Sequence, residues 1–162
     1  MIKLISRVEI LDTDSIQWHH AASLPQPRCH SPSAIIGNIC YLLGGGLLYN
    51  QAFSVCLDDL ISQAVSQPAS ASGLPTPSPW QSLSDTPLGH STALAFNGAL
   101  LTVGGNLTGS TAIYHYQPSS RSWVEAGELP TKRSTCICTI LHSGDLYVAS
   151  GGTAQRVDIA SV

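Results

Sequence analysis

The sequence predicts an all-β fold, and three observations support this. Of the 162 residues, 43% are apolar and only 10% are charged, against a usual charged share of about 25%. Gly and Pro occur 14 and 10 times, which suits short strands joined by tight turns better than helices. The stretches without these breakers show no i, i+3, i+4, i+7 apolar stripe. We therefore expect strands throughout, in a chain long enough to bury a core.

The first two predicted strands flank a polar turn at residues 12–15. Leu11 precedes Trp18 by seven residues, and Tyr116 precedes Trp123 by the same interval. A Leu-Pro pair and an arginine then follow each tryptophan six, seven and ten residues later; they are Leu24-Pro25 with Arg28 and Leu129-Pro130 with Arg133. Since all the intervals agree, the two segments read as copies of one unit.

Three hairpins are predicted, and each ends in a glycine pair. Their strands and turns are residues 33–36 and 39–43 around Gly37-Asn38, residues 92–96 and 99–103 around Asn97-Gly98, and residues 136–141 and 146–150 around a longer turn. The pairs begin at Gly44, Gly104 and Gly151. An apolar strand that stops at two glycines indicates positive φ or a close approach of another backbone segment.

The spacing of these features gives a period. The glycine pairs are 60 and 47 residues apart, and Trp18, Trp80 and Trp123 are 62 and 43 residues apart. A Ser-, Pro- and Ala-rich tract accounts for the longer middle interval, and we expect residues 61–79 to form a flexible insert. The basic unit is then about 45–50 residues with four strands. In the unit that contains Trp80, we expect Leu57 to take the place that Leu11 and Tyr116 have in their units.

The double glycine, the Tyr or Leu seven residues before Trp, and the Leu-Pro…Arg segment together resemble the kelch repeat. The resemblance implies part of a β-propeller built from four-stranded antiparallel blades. Its divisions are the outer half of a blade (7–30), a blade with the insert (31–87), a blade (88–130) and the inner part of a last blade (131–162). A sandwich or jelly roll would explain the strands but not the registered glycines and tryptophans.

Propellers usually close with about 4–8 blades, whereas the chain holds about three repeats. We therefore expect a fragment of a larger propeller, or a half that self-associates with a second copy to complete the ring. The three tryptophans are expected to fill the seams between neighbouring blades, which is a structural role.

In proteins that resemble this one, protein partners dock on the crossovers between blades and on the loops after the glycine pairs. The residues expected there are Arg28, His30, Asn50, His90, Asn106, Arg133 and Ser134. For the two arginines, the alternative is that each bonds backbone carbonyls of the next blade and fixes the blade angle.

Composition and charge exclude several partner classes. The net charge is −3, with only seven Lys and Arg, so we expect neither nucleic-acid nor membrane binding. The sequence has no apparent signal peptide or membrane span, which favours a cytoplasmic location. The five cysteines form no C-x-x-C pair and are expected to be small buried apolar residues.

Catalytic and metal-binding motifs are not found. There is no G-x-S-x-G, no P-loop and no His or Cys spacing typical of a metal site. The sequence therefore predicts a non-catalytic protein-interaction module with no cofactor. Two alternatives stay open. One is an enzyme resembling the copper-radical oxidases, for which Tyr114, His115, Tyr116 and the cysteines supply residue types; the other is a truncated, non-functional gene fragment.

Overall fold

The computed structural model describes residues 4–45, 50–66, 78–89, 91–105, 109–134, 136–141, 143–149 and 155–157. Over these ranges the chain is mostly β, and every strand pairing is antiparallel. The all-β prediction is therefore confirmed.

The strands form four sheets in chain order. The first sheet contains β1 (Val8–Asp12) and β2 (Gln17–Ala21). The second contains β3 (Ser33–Ile36), β4 (Ile39–Leu43), β5 (Ala52–Cys56) and β6 (Gln81–Ser82). The third contains β7 (Thr92–Phe96), β8 (Ala99–Val103), β9 (Ser110–Gln117) and β10 (Ser122–Arg133), and the fourth contains β11 (Ile137–Ile140), β12 (Leu146–Ala149) and β13 (Gln155–Val157). The second and third sheets are thus complete four-stranded units.

Neighbouring sheets pack face to face through apolar clusters. Leu43 and Ala52 of the second sheet meet Ala93, Leu100 and Tyr116 of the third. On the opposite face of the third sheet, a second cluster joins it to the fourth sheet and contains Val103, Ile113, Leu129, Cys136, Leu146 and Val148. Because side chains alternate between the two faces of a strand, the third sheet is covered on both sides.

One expectation was wrong: the start of the predicted flexible insert is helical. Helix α1 spans Leu57–Ser66, so residues 61–66 are ordered and Leu57 begins a helix instead of opposing Trp80. Asp58 and Asp59 lie in the first turn, where negative charge stabilises a helix. Leu60 and Ala64, four residues apart, are buried, and α1 packs against β2 and β5. Residues 67–77 of the insert lie outside the described residues.

The tryptophans divide into two groups. The indole N–H of Trp80 donates to the carbonyl of Ala22 at 3.0 Å, and that of Trp123 donates to the carbonyl of Ser84 at 3.4 Å. Each bond ties a sheet to the end of the preceding sheet, so these two indoles do span seams. Trp18 is 66% exposed, and its predicted burial is wrong because no described sheet precedes the first one.

Two of the three glycine pairs adopt the backbone that the sequence predicted, and Gly151-Gly152 lies outside the described residues. Gly44 and Gly45 have φ of 51° and 100°, and Gly104 and Gly105 have φ of 63° and 128°. A Cβ on Gly45 would lie 2.8 Å from the carbonyl oxygen of Cys29, and one on Gly105 would lie 2.7 Å from that of Gly89. In both sheets the second glycine therefore leaves room, by lacking a side chain, for the connection that leads into that sheet.

Replacing Gly105 by alanine should lower the free energy of unfolding by about 3 kcal/mol, since the new Cβ meets a backbone oxygen at positive φ. Gly98→Ala is the matched control, because Gly98 has φ of 77° but nothing within 4 Å of its Cβ position. It should cost only about 1–2 kcal/mol, the conformational part alone. Urea denaturation of both variants measures the difference, and equal losses would contradict the close-approach interpretation.

Candidate functional site

Connections between sheets and the segments after the glycine pairs meet at one edge of the second and third sheets. Both the amide and the hydroxyl of Thr86, in the connection entering the third sheet, donate to the carbonyl of Asn50 at 2.7 and 3.0 Å. A Cβ on Gly109 would lie 3.2 Å from the amide nitrogen of Arg133. We call this edge, formed by residues 28–31, 50–51, 86–89, 109 and 132–134, the loop edge. Strand direction places the hairpin turns at the opposite ends of the strands.

Arg28 stabilises the loop edge from the interior of the protein. Its side chain is buried, with 4% exposed. One guanidinium nitrogen, Nη1, donates to the carbonyls of Gly44 at 2.5 Å and Gln51 at 2.9 Å, and the guanidinium carbon lies 4.5 Å from the centre of the Phe53 ring. These contacts match the alternative stated for this arginine: it bonds backbone carbonyls of the next sheet, and its side chain is not presented to a partner.

Arg133 holds the corresponding place at the end of β10. It is also buried, with 6% exposed, and its carbonyl accepts the amide of Gly105 at 2.9 Å. The connection leaving the third sheet is thus fixed to that sheet's own glycine pair. Like Arg28, Arg133 is a structural residue of this edge and not part of its outer surface.

The other predicted residues differ in their placement. His30 and Asn50 have exposed side chains at the loop edge, and Ser134 is half-buried there. His30 has φ of 52°, a left-handed conformation that histidine adopts more readily than most residues. His90 and Asn106 lie outside the described residues. The structure therefore brings three of the predicted residues to the surface of this edge.

A cavity of about 240 Å³ lies between the connection after the first sheet and the outer strands of the second. Its lining residues are Pro25, Gln26, Gln51, Ala52, Phe53, Ser82, Leu83 and Asp85. Sequence reasoning missed this cavity, since its walls come from separate segments with no motif spacing. Gln51 and Phe53 also contact Arg28, so the arginine orders one wall.

Two thiols approach each other in the seam between the third and fourth sheets. The Sγ atoms of Cys136 and Cys138 are 3.7 Å apart, and the hydroxyl of Thr92 contacts the Cys136 sulfur at 3.6 Å. The hydrogen bond from Cys138 is the main reason that the pKa of Cys136 is lowered to about 6, and the same bond raises the pKa of Cys138. The pair therefore loses its first proton easily and its second with difficulty.

Tyr116, one residue of the alternative enzymatic interpretation, lies in a packed seam. The Tyr116 ring is buried and lies 5.1 Å from the Trp123 ring. In the part of the chain that the structure describes, no three His, Cys, Asp or Glu side chains are grouped so that they could hold a metal ion. Within those same ranges, no helix is long and apolar enough to cross a membrane.

Comparison with solved structures finds a similarity of fold. The structure of YjhT aligns with a TM-score of 0.53 and 21% sequence identity, over 76% of this chain and 34% of that chain. The present chain thus spans about a third of the length of the structure it matches. No protein-family model and no curated protein matches the sequence.

Arg28→Met should lower the free energy of unfolding by about 2–4 kcal/mol, because two carbonyls lose a charged donor and keep only a neutral one. Lys132→Met is the control, since Lys132 is an exposed cation at the same edge, and it should change stability by about 0.5 kcal/mol or less. Chemical denaturation of both variants tests this. If only Lys132→Met lowered the free energy of unfolding, Arg28 would not be the residue that stabilises the loop edge.

Cys138→Ala should raise the pKa of Cys136, because it removes the hydrogen bond that favours the Cys136 thiolate. In the intact protein this pKa lies below its ordinary value near 9. The thiolate's contribution to stability is therefore complete above pH 9 and is lost as the pH falls toward about 6. Ultraviolet thiolate titration reads the pKa, with Cys136→Ala as the blank and Cys56→Ala as the control. An unchanged Cys136 titration in Cys138→Ala would refute the assignment.

Proposed function

We propose that the chain is a segment of a kelch-type β-propeller that acts as a non-catalytic interaction module and binds a protein partner at the loop edge. The observation that carries the proposal is the repeated meeting of connections and post-glycine segments at this one edge. His30 and Asn50 give it exposed polar side chains, while the buried arginines fix the backbone beneath.

Repetition of the inter-sheet contacts supports the propeller part of the proposal. The carbonyl facing Gly45 belongs to Cys29 and that facing Gly105 to Gly89, so both contacts recur after 60 residues. The indole bonds recur as well: the acceptors Ala22 and Ser84 each lie four residues after the preceding tryptophan. Successive sheets that repeat the same packing with each neighbour are what a propeller requires.

The free thiols support a cytoplasmic location. All five cysteines are free, including the pair whose sulfurs are 3.7 Å apart. Neighbouring free thiols persist in a reducing environment and oxidise elsewhere. We therefore propose that the module works in the cytoplasm.

A rigid loop edge is well suited to this role. Binding is stronger when the contact surface is ordered beforehand, because less conformational entropy is lost on association. Here backbone hydrogen bonds from Thr86 and side-chain hydrogen bonds from Arg28 hold the edge in place. Exposed side chains can then meet a partner without reorganisation of the sheets.

Photo-crosslinking tests the proposal. A benzophenone amino acid at position 50 should capture a protein partner, whereas the same group at Ser119, an exposed turn residue at the opposite ends of the strands, should not. With the captured partner purified, Asn50→Arg should weaken binding about tenfold or more, which corresponds to about 1.4 kcal/mol, and Ser119→Arg should leave it unchanged. Equal capture from both positions would contradict binding at the loop edge.

A further inference from the structure

The Cys136 and Cys138 thiols form a pair that the proposed function does not use. All five cysteines of the chain lie within the described residues and are free. Only these two have sulfurs within hydrogen-bond distance of each other, at 3.7 Å. Both lie in the apolar seam between the third and fourth sheets. Adjacent thiols are the reactants of a disulfide bond, and the backbone decides whether that bond can form.

Strand geometry permits a disulfide between the two residues. Cys136 directly precedes β11, in which Cys138 is the second residue, and side chains two positions apart point to the same face of an extended backbone. At a rise of about 3.3 Å per residue, the two Cα atoms are about 6.6 Å apart, inside the range of about 4.4–6.8 Å found for disulfides. Since this value is near the upper limit, the bond is strained and easily reduced. Such a disulfide is typical of a reversible modification and not of a permanent cross-link.

The third sheet holds Cys136 in place beside Cys138. The Thr92 hydroxyl donates to the carbonyl of Cys136 and also lies 3.6 Å from its Sγ atom. The same Sγ atom lies 3.5 Å from the carbonyl oxygen of Val103, and a Cβ on Gly104 would lie 3.5 Å from it. Backbone and sulfur of Cys136 are therefore both fixed. Shortening the distance between the sulfurs to the bonded value of about 2.05 Å then requires movement mainly of the Cys138 side chain.

Cys138 is the sulfur that a small solute reaches first. Cys136 is buried, with 5% exposed, whereas Cys138 is half-buried. In the described part of the chain β11 is the edge strand of the fourth sheet, and the side chains of Ile137 and Thr139 on either side of Cys138 are exposed. A small molecule therefore approaches Cys138 from this edge, while Cys136 lies beneath it as the second thiol.

The pair also carries the charge needed for reaction at neutral pH. The hydrogen bond from Cys138 is the main cause that lowers the pKa of Cys136 to about 6, and the positive charge of Arg133 acts in the same direction. The same hydrogen bond raises the pKa of Cys138. At neutral pH the two sulfurs therefore share one proton. The thiolate is the form of cysteine that attacks a disulfide.

We propose that Cys136 and Cys138 form a reversible thiol–disulfide site that reacts with a low-molecular-weight disulfide such as glutathione disulfide. The inference goes beyond the proposed function and does not depend on it. It rests on the distance between the two sulfurs, on the fixed position of Cys136 and on the access to Cys138.

The reaction is an exchange of disulfide bonds. The shared proton moves to Cys136, and the Cys138 thiolate attacks one sulfur of glutathione disulfide, whose S–S bond breaks so that one glutathione leaves as the thiolate. That thiolate takes the proton of Cys136, whose sulfur then attacks the Cys138 sulfur and displaces the second glutathione, which solvent protonates. Two protein thiols are thereby oxidised to a disulfide, and one glutathione disulfide is reduced to two glutathione molecules. Excess glutathione reverses both steps.

Mass spectrometry of the full chain after incubation with glutathione disulfide tests the proposal. Trypsin cleaves after Arg133 and Arg156, so one peptide, residues 134–156, contains both thiols and no other cysteine. After alkylation of the remaining thiols, this peptide should carry neither an alkyl group nor glutathione, and it should be lighter than the thiol form by two hydrogen atoms. Treatment with excess glutathione should restore both alkylation sites.

Variants separate the two steps of the exchange. Cys136→Ser should stop the reaction at a glutathione adduct on Cys138, because the second thiol is missing. Cys138→Ser should leave Cys136 largely unmodified, because the remaining sulfur is buried. The matched control replaces the other three cysteines, and Cys29→Ser/Cys40→Ser/Cys56→Ser should form the disulfide as the wild type does.

The pH dependence distinguishes the folded site from the sequence Cys-Ile-Cys alone. In the folded chain the rate of disulfide formation should change by less than about twofold between pH 7 and 9, because the pair already carries its charge above a pKa of about 6. In urea the rate should rise about tenfold from pH 7 to 8, since an ordinary thiol pKa lies near 8.5.

Three results would overturn the proposal. They are a peptide that keeps both alkylation sites at every concentration of glutathione disulfide, a wild-type glutathione adduct that never gives way to the internal disulfide, and the same pH dependence in the folded chain and in urea. None of these results bears on binding at the loop edge, which the crosslinking experiment tests with the thiols reduced.

Discussion

The close approach of each incoming connection to a glycine pair is the constraint on which the arrangement of the sheets depends. At Gly45 and Gly105 the backbone carbonyl of the entering connection occupies the space of a side chain. Positive φ at the same residues turns the chain away from the strand just ended. The contact fixes where each connection crosses, and thereby how each sheet stands relative to the one before it.

Buried polar groups secure that geometry where apolar packing cannot. Segments at the sheet edges carry buried carbonyls, and leaving such a group short of hydrogen-bond donors is costly. Arg28 supplies charged donors to two of them, and the indoles of Trp80 and Trp123 supply neutral donors on the far side of the seams. Residues that recur with the repeat therefore include those that supply hydrogen bonds to the backbone between sheets.

Much of the fold could be predicted from the sequence because its signals are local. Asn97-Gly98 formed the expected hairpin turn at positive φ, and the interval between Tyr116 and Trp123 proved to be a cross-strand pair. Helix α1 was missed because its buried side chains, Leu60 and Ala64, form a stripe too short to stand out among polar residues. The sequence offered carbonyl bonding by Arg28 as an alternative, but it could not identify the carbonyls, since they are separated from Arg28 by 16 and 23 residues.

Trp18 is exposed although its place in the repeat predicts burial. The same residue type at the same place in the unit is half-buried at Trp80 and Trp123, so local sequence does not account for the difference. What differs is the neighbour: the later indoles have a preceding sheet, and Trp18 has none in the described chain. Trp18 thus keeps the residue type that fills a seam, on a face that no described sheet covers. Ile35 of the second sheet and Ile137 of the fourth are exposed as well. Burial at a repeated position therefore depends on the neighbouring sheet and not on the local sequence alone.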